Sequence, residues 1–424
     1  MRSLNARQSQ GTVSRRSFLA GAAGGALGTV GFNGMVQAEA SRKLAAQQKR
    51  TVVFWLTGGA SQLETWDPKP GTETGGPFQA IPTSVPGIHI SELMPYTARQ
   101  MHHLALVRGI NTKENNHGKG AVFMQTGHRQ RTGFEYPYLG SVFSSLLSPP
   151  ENPLPGYICV GGGGSSREAA FLGPKYAPLT LDDGQAPPNL KRTSGLTPQA
   201  DARRRALRRR LSQRFAAGRR QALTEIYNSS YDQAAALMAR KEIFDFSSIP
   251  DKDVQRYGKH PFGRHCLMAR KLVESGITFV KVGHSNYDTH SENFNFHIEQ
   301  LGEFDRPFAT FVSDLAERGL LDHTLIIVMC EFGRTPRINQ RLGRDHWGTA
   351  WSVALGGCGI KRGVVVGKTN ANGTRVVDRE VNAGHLFHTY YEAMGLNSTE
   401  PFYHNGRPFT KAAPKTSAIK ELLT

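Results

Sequence analysis

The sequence predicts an α/β protein with a mostly parallel central sheet and helices on both faces of that sheet. Short apolar runs, rich in β-branched residues, alternate along the chain with longer segments of helical periodicity. Uninterrupted apolar runs are typical of strands buried on both faces, and helices between them make the crossovers that parallel strands need. With 424 residues, 38% of them hydrophobic, the chain can bury one large core or two modest ones.

The predicted elements follow one another in a regular order. Apolar runs place strands at 51–59, 103–110, 276–284, 323–333 and 351–357. Helical periodicity places helices at 261–275, 294–318 and 382–396. The segment 148–200, rich in Gly, Pro and Ser, is typical of loops, and 201–245 is typical of a helical region. We therefore expect residues 41–424 to form one domain with a basic helical insert near 201–245.

The composition limits the class of protein. Lysine and arginine number 52 against 34 acidic residues, so the formal charge of +18 predicts a surface that attracts anions. The four cysteines are widely spaced and form no Cys-x-x-Cys pair. This spacing argues against a zinc knuckle or a disulfide scaffold, and it predicts free, mostly buried thiols.

The segment 203–220 contains nine arginines and no acidic residue. Leu207, Leu211 and Phe215 recur in it at every fourth position, which predicts one amphipathic helix with an arginine-rich outer face. The candidate polyanion-binding residues are Arg203, Arg204, Arg208 and Arg209. An acidic polysaccharide or phospholipid head groups would suit this charge. Nucleic acid is not expected, because no aromatic residues interleave with the arginines for base stacking. The alternative is an ordinary solvated face.

The amino-terminal segment resembles a signal for the twin-arginine export machinery. Arg15 and Arg16 directly precede the sequence Ser-Phe-Leu and a weakly apolar stretch of Gly and Ala. That stretch is too short and too polar to span a bilayer stably. We therefore predict that residues 1–40 are a signal peptide. The mature chain would then have no transmembrane span and would be periplasmic or otherwise extracytoplasmic.

Polar side chains follow four of the predicted strands. They are Gln62, Glu64 and Asp67 after the first, His117 and Lys119 after the second, His284, Asp288 and His290 after the third, and Glu331, Arg334, Arg337, Asp345 and His346 after the fourth. The carboxyl ends of parallel strands meet at one edge of a sheet, where open α/β folds keep their chemistry. Carboxylates and imidazoles can bind divalent metals such as zinc, manganese, calcium or magnesium. We expect one shared polar site that binds a metal. The alternative for each motif alone is a surface hydrogen-bonding pair.

Several of these motifs together resemble one bacterial family. The segments "GGASQLETWDPKPG", "YDTHSENF", "CEFGRTPRIN", "GRDHW" and "SRRSFL" are similar to the exported family of domain of unknown function 1501. That family is itself similar to the superfamily of alkaline phosphatases and sulfatases. The resemblance implies an alkaline-phosphatase-like fold. It also implies a metal-dependent hydrolase of phosphate or sulfate esters, with sulfated polysaccharide among the possible substrates.

The resemblance also assigns roles to individual residues. It implies metal ligands at Asp288, His290, Glu331, Asp345 and His346 and catalytic roles for His117, Lys119 and Arg334. Phe332 stands where the superfamily has a metal-binding histidine, and His117 stands at the nucleophile position in place of Ser, Thr or Cys. Supporting or undefined roles fall to Gln62, Glu64, Asp67, His284 and Arg337. One metal with activated water, or an intermediate on His117, is therefore implied. The alternative is a catalytically silent relative that binds anionic glycans or cell-envelope partners.

Overall fold

The computed structural model describes residues 48–149, 152, 154–184, 186, 190, 192–217, 221–245, 249–404 and 406–424. The predicted signal peptide, residues 1–40, lies outside the described residues. The strands are β1 (Arg50–Leu56), β2 (Ala80–Pro82), β3 (His89–Ser91), β4 (Leu104–Ile110), β5 (Tyr157–Val160), β6 (Leu179–Leu181), β7 (Phe279–His284), β8 (Thr324–Met329), β9 (Gly333–Arg334), β10 (His346–Trp347), β11 (Trp351–Gly357), β12 (Val364–Val366), β13 (Lys368–Thr369), β14 (Val376–Asp378), β15 (Phe402–His404) and β16 (Arg407–Phe409).

Eight of these strands form the central sheet, in the order β12-β4-β11-β8-β1-β7-β5-β6. β1 pairs in parallel with β7 on one side and with β8 on the other, so Phe54 is level with Val282 and Val328. β11 runs antiparallel to its neighbours β4 and β8, and the other pairings in this sheet are parallel. The mostly parallel sheet is therefore confirmed, with β1, β4, β7, β8 and β11 at the five predicted positions.

The prediction of loops throughout 148–200 was wrong in part. This segment supplies β5 and β6, which extend the sheet beyond β7. All four residues of β5 are buried, but the strand is short and lies between Gly- and Pro-rich turns. Its apolar run is too brief to stand out from its surroundings in the sequence. Neighbouring strands, rather than local pattern, define these two elements.

The helices are α1 (Pro95–Arg99), α2 (His117–Thr126), α3 (Leu139–Leu147), α4 (Pro198–Ala216), α5 (Gln221–Ala239), α6 (Asp251–Tyr257), α7 (Pro261–Glu274), α8 (Asn293–Glu317) and α9 (Ala383–Ala393). On one face of the sheet, the Phe54 ring meets Phe262 of α7 and Phe308 of α8, at centroid distances of 6.3 and 5.0 Å. Phe279 of β7 is level with Thr51 of β1, which is three residues before Phe54. Side chains alternate between the two faces along a strand, so Phe279 lies on the face opposite Phe54. There it contacts Phe143 of α3. Helices on both faces are therefore confirmed.

The arginine-rich segment matches its prediction in part. Residues 203–216 lie in one helix, α4, as predicted, and the next helix, α5, begins after the segment ends. Leu207, Leu211 and Phe215 are 58%, 55% and 56% exposed, so they do not form a buried stripe. α4 meets α5 through polar groups instead, because Arg208 Nη1 donates to Asn228 Oδ1 at 2.6 Å. The outer face of α4 therefore combines apolar side chains with arginines.

The cysteine prediction is confirmed, since all four cysteines are free and buried. Within the ranges described above, no helix has both the length and the apolar character needed to cross a membrane.

Candidate metal centre

The carboxyl ends of four strands meet at one edge of the sheet. β8, β1 and β7 are parallel neighbours, and β4 runs in the same direction beyond β11. The chain after β4 leads to His117, the first residue of α2, and the chain after β7 leads to Asp288 and His290. Glu331 follows β8, and the hairpin of β9 and β10 then carries His346. The fold thus assembles one site from segments that are far apart in sequence.

Three imidazoles surround one carboxylate at this edge. We call His117, Asp288, His290 and His346 the histidine cluster. The Nε2 atoms of the three histidines lie 3.3, 3.2 and 3.1 Å from carboxylate oxygens of Asp288, in the order His117, His290 and His346. His290 Nε2 and His346 Nε2 are 2.9 Å apart. One ligand atom each from His117, Asp288 and His346 lies within 4.8 Å of the other two, a spacing at which they could hold one metal ion.

Each imidazole of the cluster is also held through its other nitrogen, Nδ1. The acceptors, each at 2.7 Å, are Glu331 Oε1 for His117, Asp345 Oδ1 for His290 and the main-chain oxygen of Asn115 for His346. Carboxylate and carbonyl oxygens only accept hydrogen bonds, so each Nδ1 carries the proton. In the neutral ring the Nε2 atom is then a bare acceptor. All three Nε2 atoms lie within 3.3 Å of a carboxylate oxygen of Asp288.

This arrangement requires a positive charge among the Nε2 atoms. Two bare nitrogens 2.9 Å apart beside a carboxylate repel one another unless a proton or a metal ion lies between them. Burial lowers the pKa of His346, so its ring resists protonation. The hydrogen bond to Glu331 raises the pKa of His117. His117 Nε2 is nevertheless buried without a hydrogen-bond partner among the described residues. A single metal ion held by His117, Asp288 and His346 would satisfy the Nε2 atoms of both histidines.

Arg334 fixes the carboxylate at the centre of the cluster. The Arg334 side chain is completely buried, and it donates from Nη2 to Asp288 Oδ1 at 2.5 Å. Its Nε and Nη1 atoms donate to the main-chain oxygens of Gly59 and Arg344, at 2.9 and 3.0 Å. Partial burial acts to raise the pKa of Asp288, but the hydrogen bond and charge of Arg334 lower it to about 2. Arg334, for which the resemblance implied a catalytic role, uses these donors within the protein and keeps Asp288 ionised.

Gly58 allows the ends of β1, β7 and β8 to approach closely. Its N–H donates to Glu331 Oε1 at 2.9 Å. Its φ of 110° disfavours any other residue, and a Cβ atom there would lie 2.4 Å from the main-chain nitrogen of Asp288. Glu331 is 3% exposed and holds His117 from behind. The group of His117, Asp288 and His346 includes neither Glu331 nor Asp345, which holds His290 from behind, and it does not include His290 itself.

Two of the predicted residues, Gln62 and Glu64, support the segments that carry the cluster. Glu64 and Arg344 form a completely buried ion pair, with Oε1 and Nη2 2.8 Å apart. The side-chain amide of Gln62 donates to the main-chain oxygen of Arg334 at 2.8 Å and accepts from its main-chain N–H at 2.9 Å. These contacts brace the hairpin that carries His346.

Other predicted residues lie away from the Nε2 atoms. Asp67 is buried and pairs with Lys69 at 2.9 Å. His284 is buried with its Nδ1 2.9 Å from the Tyr287 hydroxyl, and burial lowers its pKa to about 3. Arg337 is exposed, as is Lys119 in the first turn of α2. Of these residues, Lys119 is next to the cluster in sequence.

Three residues at the cluster received no role there from the sequence. Phe332 packs its ring 4.8 Å from that of His117 and 4.5 Å from that of His346. Asn115 binds His346 through its main-chain oxygen, and Asn339 Nδ2 donates to the main-chain oxygen of His290 at 3.0 Å. Main-chain contacts of this kind leave no residue-type pattern. Phe332 could be singled out only through the resemblance, because it stands where the superfamily has a metal-binding histidine.

Solved structures of similar fold come from several bacteria. One is a lipoteichoic acid synthase from Listeria monocytogenes, at 8% identity, with 89% of this chain and 80% of that chain covered and a TM-score of 0.38. A sulfatase from Pseudoalteromonas sp. has 13% identity, coverage of 86% and 72%, and a TM-score of 0.40. The alkaline phosphatase from the Antarctic bacterium TAB5 has 14% identity, coverage of 82% and 98%, and a TM-score of 0.35. These similarities concern the fold alone.

No curated protein matches this chain. A family model, however, matches residues 48–423, which is nearly all of the described chain. The match agrees with the family that the motifs predicted. The chain therefore belongs to the family described as protein of unknown function (DUF1501).

Proposed function

We propose that this protein is an exported hydrolase of phosphate or sulfate esters that depends on one divalent metal in the histidine cluster. The observation that carries the proposal is the orientation of His117, His290 and His346. Each ring is held through Nδ1 and directs Nε2 at the Asp288 carboxylate. Histidines that bind metals are commonly held in this way by a carboxylate or a main-chain oxygen.

The donor set fits a metal that accepts nitrogen ligands. Three imidazoles and one carboxylate match the number and type of ligands in tetrahedral zinc sites, and they also suit manganese. Calcium and magnesium prefer shells made entirely of oxygen. The buried Nε2 atom of His117, without a hydrogen-bond partner in the described chain, is the kind of atom that such a metal would satisfy. Glu331 and Asp345 would then orient His117 and His290 as their hydrogen-bond partners.

The chain's own residues suit an anionic ester. A divalent metal in the cluster would supply Lewis-acid polarisation of an ester oxygen. The exposed ammonium of Lys119 lies in the first turn of α2, where the helix N-terminus also attracts negative charge. Arg334 keeps Asp288 ionised as a ligand. Because both nitrogens of His117 are engaged in this arrangement, we favour a ligand role for His117 over a covalent intermediate on it.

A catalytically silent relative that binds anionic glycans or envelope partners is the second candidate. The observation that favours it is the position of Phe332, whose ring covers one side of His117 and His346. A phenyl ring cannot bind a second metal, so a two-metal clamp on the substrate has no complete ligand set here. Binding of an anion would still be possible without turnover.

Metal content together with turnover tests the proposal. Wild-type protein supplied with zinc or manganese should hold about one metal ion per chain, the number that one tetrahedral ligand set accepts. His346→Ala should lose most of that metal, and Asp345→Asn should weaken binding by roughly 10- to 100-fold. His323→Ala, at an exposed histidine before β8, is the matched control and should retain the metal. Elemental analysis gives the metal content, and aryl phosphate and aryl sulfate report turnover.

The outcomes separate the two candidates. Metal with turnover supports the hydrolase, and metal without turnover of either ester supports the silent relative. Wild-type protein that binds neither zinc nor manganese would end the proposal of a metal centre. Equal loss of metal from His346→Ala and His323→Ala would show that the metal is bound elsewhere.

Export through the twin-arginine machinery is part of the proposal and needs its own test. Arg15→Lys together with Arg16→Lys removes the paired arginines but keeps their charge. The double variant should stay inside the cell, whereas the wild-type chain should be recovered outside the cytoplasm. Fractionation with an antibody to the mature chain measures this. Normal export of the double variant would contradict the assignment of the signal.

A further inference from the structure

A large cleft shares helix α2 with the histidine cluster. Its volume is about 1210 Å³. α2 lines it through residues that include Lys119 and Gln125, and the segments 129–138 and 163–168 supply most of its other walls. His117 is the first residue of that same helix. Because one helical turn rises by about 5.4 Å, the cleft begins within about one turn of the cluster.

The cleft carries charges of both signs. Its lining includes Lys119, Arg129, Arg131 and Arg167 as cations and Glu114, Glu135 and Glu168 as acids. Some of these charges are already compensated, since Arg129 lies 3.5 Å from Glu114, and Glu168 is held by Lys281 at 3.0 Å. By contrast, Lys119, Arg131 and Arg167 are exposed and form no ion pair within the described chain. They are therefore available to an anionic ligand.

Aromatic rings and neutral polar groups share this lining. Phe134 and Tyr136 are half-buried, and each packs against other rings. Tyr136 stacks on His128 with ring centroids 3.9 Å apart, and Phe134 stacks on Phe409 at 4.4 Å. Rings held in this way offer rigid apolar surfaces at little cost in conformational entropy. Side-chain amides, hydroxyls and carboxylates around them can donate to and accept from ligand hydroxyl groups.

We propose that the cleft binds an oligosaccharide that carries sulfate or phosphate groups. Lys119, Arg131 and Arg167 hold the anionic groups, and Phe134 and Tyr136 contact the faces of the sugar rings. The inference rests on the proposed function and deepens it, because it names the class of substrate that reaches the cluster along α2. A guanidinium fork matches sulfate and phosphate equally well, so the shared chemistry defines the ligand.

Nucleic acid is a less suitable occupant of the same cleft. Its phosphates are closely spaced, and the exposed carboxylate of Glu135 would repel them. The same carboxylate accepts hydrogen bonds from the many hydroxyls of a saccharide. The mixed lining therefore favours a polyhydroxylated ligand with a few anionic groups over a uniformly charged strand.

Calorimetric titration of the full chain tests the inference at one fixed salt concentration. The probes are a heparin-derived hexasaccharide, its desulfated form, a phosphorylated mannose oligosaccharide and a hexamer of thymidylate. The double variant Arg131→Ser with Arg167→Ser removes two cleft cations. Arg99→Ser with Arg375→Ser removes the same charge from exposed positions outside the cleft. Thermal melting checks that both variants fold.

The sulfated hexasaccharide should bind wild-type protein tenfold or more tightly than its desulfated form, the scale of one charge-assisted hydrogen bond. Binding should weaken by roughly tenfold or more in the cleft variant and stay within about twofold in the control. The phosphorylated oligosaccharide shows whether a phosphate group is bound as tightly as a sulfate group. Tight binding of either one supports the inference. Equal weakening in both variants would show that general surface charge binds the sugar. Equal or tighter binding of the thymidylate hexamer would overturn the saccharide assignment.

Turnover of aryl esters separates this inference from the proposed function. Saccharide binding without aryl ester turnover would leave the cleft assignment standing while the hydrolase fails. Turnover of aryl sulfate without any saccharide binding would support the hydrolase and overturn the cleft assignment. Binding measured on metal-free protein keeps the two results independent.

Discussion

The carboxyl edge of the sheet and helix α4 are both rich in arginine, yet the two regions use it in opposite ways. At the edge, Arg334 and Arg344 are completely buried, and each donates to several protein oxygens. On α4, Arg203 and Arg209 are exposed. Arg209 pairs at 2.8 Å with Asp232, whose side chain is 44% exposed. The same guanidinium is a structural element in one region and a solvated charge in the other.

The difference follows from what surrounds the donors. A buried guanidinium must have its donors satisfied, because an unpaired buried charge costs several kcal/mol. Arg344 therefore donates to both carboxylate oxygens of Glu64 and to the main-chain oxygens of Thr74 and Thr335. Water can solvate the two charges of an exposed ion pair almost as well as they solvate each other. Such a pair therefore contributes only about 0–1 kcal/mol to the free energy of unfolding. Burial, not residue type, decides whether an arginine here supports the fold or faces ligands.

The largest effect should come from breaking the buried pair beneath the cluster. Arg344→Met leaves the Glu64 carboxylate without its partner in a completely buried position. Burial already acts to raise the pKa of Glu64, and the charge of Arg344 lowers it overall. Removing that charge should reduce the free energy of unfolding by about 3–5 kcal/mol. Urea unfolding followed by circular dichroism measures the loss.

A double variant shows whether the loss arises from the pair. Arg344→Met with Glu64→Gln removes both charges, so it should be more stable than Arg344→Met alone. Equal stability of the single and double variants would mean that lost packing, rather than the unpaired carboxylate, causes the effect. An Arg344→Met protein as stable as wild type would contradict the distinction between the two regions.

A second test uses pH at the carboxyl edge. Burial lowers the pKa of His284 to about 3 in the folded protein, whereas an unfolded histidine has a pKa near 6.5. The unfolded chain then binds more protons between these values, so stability falls as pH decreases from about 6.5 toward 3. His284 should account for a loss of up to a few kcal/mol over that range. Charged and titratable neighbours include Glu303 at 3.5 Å, with His260 and His265 nearby.

His284→Gln removes this titration and keeps a side chain that can hydrogen-bond to Tyr287. Its free energy of unfolding should therefore fall less steeply than that of wild type between pH 6.5 and 4. His323→Gln, at an exposed histidine, should follow the wild-type curve. Chemical unfolding at several pH values gives the slopes. Parallel curves for wild type and His284→Gln would show that this histidine is not held neutral by burial.

A third test concerns the arginine that holds Asp288. Arg334→Lys keeps the charge but loses the donors that reach Asp288, Gly59 and Arg344 together. If the cluster binds metal, its affinity should fall by roughly 10- to 100-fold, as for other residues that orient a ligand. Competition with a coloured chelator measures that affinity. Unchanged affinity would mean that Asp288 does not need Arg334 in order to bind metal.

The sequence predicted the sheet well because its strongest signals were long apolar runs. β1, β4, β7, β8 and β11 each carry such a run, and the polar residues that follow them meet at one edge. β5 and β6 lacked this signal, because each is a short strand within Gly- and Pro-rich sequence. A hydrophobic pattern therefore predicts a strand when many consecutive residues are buried. It does not predict a short strand that forms only because neighbouring strands pair with it.

The site was harder to predict than the sheet. The resemblance identified Asp288, His290 and His346 as candidate ligands. It gave Glu331 a ligand role and His117 a catalytic role, whereas our proposal makes His117 a ligand and Glu331 its hydrogen-bond partner. His117 directs its Nε2 atom into the cluster, while Glu331 holds it from behind. The position of α2 relative to β8 decides whether His117 or Glu331 lies nearer to Asp288. Packing over the whole sheet sets that position, so no local sequence pattern predicts it.

The smallest effect on stability should come from the outer arginines of α4. Arg203→Ser with Arg209→Ser removes two exposed charges and should change the free energy of unfolding by no more than about 0.5 kcal/mol. Arg208→Ser should cost more, because the guanidinium of Arg208 lies 4.3 Å from the Tyr231 ring centroid and bonds to Asn228. If α4 binds polyanions as its charge predicts, retention on heparin should fall in the Arg203 and Arg209 variant and depend on salt. Unchanged retention would leave α4 as an ordinary solvated face. A loss of stability as large as that of Arg344→Met would erase the contrast between the two regions.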